Sequence, residues 1–141
     1  MRWFMKAIPL VYLAWAAGRD IRQRTVSVRG AIIFAAAGVL LHMILNDAPA
    51  DWMPGILPGG ALIAVGFMTR GAVGYGDGMA MAVTGLYLGG FGAVSVLGTG
   101  LMLTFPVSLW MIAVKKAGRK ESLPFLPFLL AGYMVWLILT P

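Results

Sequence analysis

Cysteine is absent from all 141 residues. That excludes a disulfide framework, a thiolate nucleophile and any cysteine-ligated zinc. Histidine is nearly absent as well: His42 stands alone, with no second imidazole to complete a metal site. It reads as a packing or interface residue rather than a ligand. Acidic residues are scarce, with five (Asp20, Asp47, Asp51, Asp77 and Glu121) against eleven lysines and arginines. Catalysis by side chains would therefore fall to the carboxylates, without metal or cofactor.

Apolar residues supply what remains. They make up 60% of the chain, charged residues only 11%, and the mean hydropathy is +0.88. A soluble domain of that composition would be covered in exposed apolar surface, so the chain is read as an integral membrane protein. Apolar runs cover roughly residues 3–18, 30–46, 55–69, 78–89, 91–114 and 124–140. They predict an all-α polytopic fold of about six transmembrane helices, several of them short. Residues 1–141 then form a single membrane-embedded domain, since the crossings leave only short connections.

Charge orients the runs. The stretch "RDIRQRTVSVR" (19–29) holds four arginines and "KKAGRKES" (115–122) four basic residues, whereas "DAPADWMP" (47–54) carries only Asp47 and Asp51. By the positive-inside rule the first, third and fifth connections are cytoplasmic, and the second connection, the fourth ("GGFG", 89–92) and both termini face the other side. The opening "MRWFMKAIPLVYLAWA" also has the parts of a cleavable signal peptide. Cleavage after Ala16 would invert the charge bias of every later connection, so the segment is expected to remain as the first span. The net charge of +6 is distributed in these clusters. It points to anionic lipid headgroups as partners, not to nucleic acid.

The same topology sorts the carboxylates. Asp47 and Asp51 fall on the outer side; Asp20, Asp77 and Glu121 fall on the cytoplasmic side, Glu121 within a solvated charge run. Two carboxyl groups in a poorly solvated site cannot both ionise, so one keeps a proton while the other acts as general base toward a water between them. Asp77 lies between Gly76 and Gly78 in "GYGDG". Glycines at 74 and 76 let backbone come close to a neighbouring helix or admit an extended peptide. Gly78, just inside the helix, is expected to tolerate alanine better. A plainer reading remains open. In it Asp77 caps the fourth span, Asp20 balances its arginines, and the chain is a non-catalytic multi-pass protein such as a small transporter subunit or a pilus or secretion assembly factor.

The "GYGD" at residues 74–77, the aspartate in "AGRDIRQRTVS" (17–27) after the first span, and the proline-rich entry to the last span in "SLPFLPF" (122–128) together resemble the type IV prepilin peptidases. These are six-span membrane aspartic proteases with a G-x-G-D signature. The resemblance runs over nearly the whole chain. It implies a leader peptidase acting on prepilins or pseudopilins at the cytoplasmic face of the bacterial inner membrane, with Asp20 and Asp77 as the catalytic pair. Lacking cysteines and any N-terminal insertion, the chain is similar to the compact, peptidase-only form found with tight-adherence (Flp-type) pilus systems, which implies no methyltransferase activity. It departs from the family in "RTVSVRG" (24–30), where Ile-Pro is usual, and at Met79, commonly Lys; both bear on substrate contacts and spare the carboxylates.

Overall fold

The computed structural model of the chain describes residues 3–23, 26–71, 74–114 and 125–140. Of these, 91% are helical and none forms a strand. Helix satisfies every backbone donor and acceptor within its own segment, as hydrocarbon requires. The elements are α1 (Trp3–Gln23), α2 (Val28–Leu45), α3 (Pro49–Trp52), a 3₁₀ turn (Met53–Ile56), α4 (Leu57–Met68), α5 (Tyr75–Val114) and α6 (Leu126–Leu139).

Local chemistry sets the boundaries. Ser27 caps α2, its side chain accepting from the Gly30 amide at 3.2 Å. Asn46 ends α2 in the left-handed conformation (φ 56°), and the Asp47 amide turns back to the His42 carbonyl at 3.1 Å. Prolines sit at the first or second position of α3, the 3₁₀ turn, α4 and α6. There a missing N–H costs nothing and the fixed φ favours the helix. Prolines that looked like loop formers in "DAPADWMP" therefore start helices, and most of the expected second connection is helical.

Three helical stretches, Val28–Leu45, Pro49–Met68 and Tyr75–Val114, are long and apolar enough to cross a membrane. That is fewer than the six crossings expected from the runs. α6 has only 14 residues, and α1 carries Lys6, Arg19, Asp20 and Arg22 along its length. Runs four and five are joined in the 40-residue α5. Its one departure from helical backbone is Gly89 (φ 77°, ψ 177°), so the expected loop at 89–92 reduces to a single residue. Gly89 nevertheless reverses the chain. A Cβ placed on Gly85 would lie 3.1 Å from the Ala93 Cβ, a closeness that residues on successive turns of one straight helix never reach. The break thus falls at Gly89, and Pro106, also inside α5, keeps helical backbone.

Packing depends on close backbone approach, because lipid is as apolar as leucine and supplies no hydrophobic drive between helices. On one side of α5, Gly55 meets Gly85, Gly59 meets Ala82 and Ile63 meets Gly78, an antiparallel seam of small residues. On the other, Gly100 lies against Leu129 and Gly132. α1 runs antiparallel to α6: the Tyr133 hydroxyl donates to the Lys6 carbonyl at 2.6 Å, and Lys6 Nζ donates to the Thr140 carbonyl at 2.8 Å. The fully buried centre lies among α1, α5 and α6, around Tyr12, Leu13, Met81, Val96, Leu129 and Tyr133.

Candidate functional site

The antiparallel course of the helices collects Asp20 and Asp77 at one end of the molecule. Asp20 occupies the last turn of α1 and is buried, 8% exposed. Asp77 lies in the first turn of α5 and is half-buried. The two carboxyl groups, delivered by helices distant in sequence, are within Coulombic reach of each other. Asp47 and Asp51 lie at the opposite end: a Cβ on Gly89 would fall 2.7 Å from the Asp51 carbonyl oxygen, and Asp47 Oδ2 lies 3.0 Å from His42 Nδ1. Glu121 and the basic cluster Lys115, Lys116, Arg119 and Lys120 fall outside the described residues.

Asp77 is not the cap of its helix. Gly74 takes that place, its carbonyl accepting from the amides of Asp77 at 3.2 Å and Gly78 at 3.4 Å. Asp77 is the third residue in, where the positive end of the helix favours a carboxylate. Among the described residues no hydrogen bond ties its side chain to a helix-end amide. Arg19, next to Asp20, is engaged elsewhere: its guanidinium lies 5.3 Å from the Trp15 ring centre and donates to Gln23 Oε1 at 3.3 Å.

The three glycines of "GYGDG" differ in what surrounds them. Gly74 is exposed, and a Cβ there would meet only the Asp77 carboxyl, with Oδ2 at 3.1 Å. A Cβ on Gly76 would meet Val26 Cγ2 at 2.7 Å and Cβ at 2.8 Å. Gly78 is the tightest: its Cβ would fall 2.5 Å from Ile63 Cγ1 and 3.0 Å from both the Gly59 carbonyl oxygen and the Ile63 amide nitrogen. The expectation that Gly78 would be the tolerant member is therefore corrected. Helix propensity favours alanine there, but the neighbouring backbone of α4 leaves no room for it.

Sequence reasoning gave His42 no role beyond packing, and the structure assigns it one at the far end. The ring is buried, stacked on Trp52 with centroids 5.2 Å apart. Nε2 lies 2.8 Å from the Leu86 carbonyl and Nδ1 lies 3.0 Å from Asp47 Oδ2. A carbonyl only accepts, so Nε2 is the donor to Leu86. Leu86 precedes the break at Gly89, where the helical partner of its carbonyl is displaced; His42 supplies the donor that the broken helix cannot. The pairing of a lone histidine with "GG" in an apolar run is the only trace of this in the sequence. Among the described residues no group of histidines and carboxylates is arranged to hold a metal ion.

Comparison with family models, with curated proteins and with solved structures finds no match for this chain.

Proposed function

We propose that this membrane protein is an aspartic endopeptidase that removes the leader peptide from prepilin or prepilin-like proteins at the cytoplasmic face of a bacterial inner membrane. The observation that carries the reading is the placement of Asp20 and Asp77, two carboxyl groups within Coulombic reach of each other at one end of a helical membrane protein, one buried and the other half-buried. With one carboxyl holding a proton and the other taking one from water, the pair generates a nucleophile for the scissile carbonyl and protonates the leaving amine. Supporting it further are the G-x-G-D setting of Asp77, the basic connection that follows Asp20, and the freedom of the Asp77 carboxyl from capping its helix. That freedom also tells against the plainer reading of Asp77 as a helix cap.

The test is cleavage of a co-expressed prepilin, followed by gel shift in membranes normalised for enzyme level. Asp20→Asn and Asp77→Asn should each abolish processing, and Asp51→Asn, at the opposite end, should leave it intact. Processing at the wild-type rate by either catalytic-position variant would sink the proposal.

A further inference from the structure

Asp20 and Asp77 arrive on separate helices, so their mutual register has to be fixed by something other than the chain between them. Between the end of α1 at Gln23 and the start of α2 at Val28, the described residue Val26 lies against the first turn of α5. All three of the nearest atoms to a Cβ built on Gly76 belong to this one residue, with Cγ2 at 2.7 Å, Cβ at 2.8 Å and the amide nitrogen next at 3.7 Å. The volume that glycine leaves empty at position 76 is thus filled by the Val26 side chain, which is itself half-buried and packed against the core.

We propose that Val26, seated on the bare backbone at Gly76, is the positioning residue that holds the Asp20 segment against Asp77. On this account Gly76 serves the contact between the two halves of the site and does not admit the substrate backbone. Valine suits the role: its branched Cβ has a single strongly restricted χ1, so it transmits position with little play. Gly76 is adjacent to Asp77 and Val26 follows the Asp20 helix, so displacement of Val26 shifts the two segments relative to each other. The inference rests on the peptidase reading for its functional readout, though not for the contact itself.

A size exchange tests it. Gly76→Ala should lower kcat for prepilin cleavage by up to about a hundredfold, the scale of an ångström's misplacement of reacting groups, with KM unchanged. Val26→Gly combined with Gly76→Ala removes every side-chain atom that the new methyl meets and should restore kcat to within a few-fold of wild type. A rise in KM at constant kcat in Gly76→Ala would mean that the glycine admits substrate, and would overturn the proposal. So would failure of the double variant to recover while it accumulates normally in the membrane.

The unfolding midpoint in detergent micelles gives a second measurement independent of activity. If Val26 and Gly76 touch, the loss of stability in the double variant should be smaller than the sum of the losses in Gly76→Ala and Val26→Gly alone, and additive losses would overturn the contact. Should the wild-type protein cleave no prepilin, the peptidase reading falls and the positioning role with it, whatever the midpoints show. A wild type that cleaves, paired with an unrescued Gly76→Ala, overturns only the role of Val26.

Discussion

Gly55, in the 3₁₀ turn that leads into α4, and Gly85 of α5 face each other so closely that a Cβ on either would fall on the backbone carbonyl of the other. A carbonyl cannot swing aside as a long side chain can, so any substitution here has to move a whole helix. Backbones at such distance gain dispersion along the length of the seam, which is what holds helices together where solvent gives no help.

Gly85→Ala should therefore destabilise the protein by about 1–3 kcal/mol or more, while Gly60→Ala, where nothing lies within 4 Å of the added methyl, should be neutral or gain up to ~1 kcal/mol of helix propensity. Unfolding in detergent micelles, followed by loss of helical circular dichroism, separates the two. Equal stability of these variants would mean that the seam is looser than the structure has it.

Gly78→Ala should behave like Gly85→Ala and unlike an ordinary glycine in a first turn. Two of the three atoms nearest its Cβ, the Gly59 carbonyl oxygen and the Ile63 amide nitrogen, both at 3.0 Å, are backbone. The expected result is reduced accumulation in the membrane and a lower unfolding midpoint. An increase in stability would show helix propensity prevailing over packing at this position.

His42→Ala takes the side-chain donor from the buried Leu86 carbonyl and should cost about 1–3 kcal/mol, the penalty for an unsatisfied buried polar group. His42→Gln, whose amide can still donate to that carbonyl, should recover part of the loss. Asp47→Asn should also lower stability, whereas Asp51→Asn, whose side chain is exposed, should not. The measurement is the same unfolding midpoint, and cleavage by whatever remains folded should be unchanged in all of them.

Gly74→Ala isolates the electrostatics of the site from its packing. The new methyl would meet nothing but the Asp77 carboxyl, with Oδ2 at 3.1 Å, and the position needs no left-handed backbone. Prepilin cleavage should fall by about tenfold or less through the displaced oxygen, with the unfolding midpoint unaltered. A fall in both together would place Gly74 among the structural glycines.

Much of this was legible in the residues. The basic cluster after Asp20 and its counterpart near Glu121 sort the carboxylates by end, because each apolar run between them is about one crossing long; Asp20 and Asp77 do share an end. The pairing of glycines was not legible, since a glycine in an apolar run says that some backbone comes close but not which one: Gly78 faces Ile63, Gly76 faces Val26, and their adjacency in "GYGDG" hides the difference. His42 was opaque for another reason. Its partner is a carbonyl, present at every residue, and only the reversal at Gly89 singles out Leu86. Fewer stretches than six meet the length and hydropathy of a crossing, because hydropathy marks where helix is apolar without marking where it ends: α6 has only 14 residues, α1 carries charge at both ends, and the fourth and fifth runs are interrupted only at the Gly89 reversal.

Chains enter membranes from the N-terminus onward, and α2 is therefore made before α5. His42, Asp47 and Trp52 all precede Leu86, so the donor and its supports stand ready when the Gly89 reversal is laid down. Were the order the other way, a carbonyl stripped of its helical partner would wait in lipid for a donor not yet synthesised, at a cost of several kcal/mol. The sequence order of the clamp suits the direction in which the polypeptide is threaded, and the hairpin of α5 can close as it emerges.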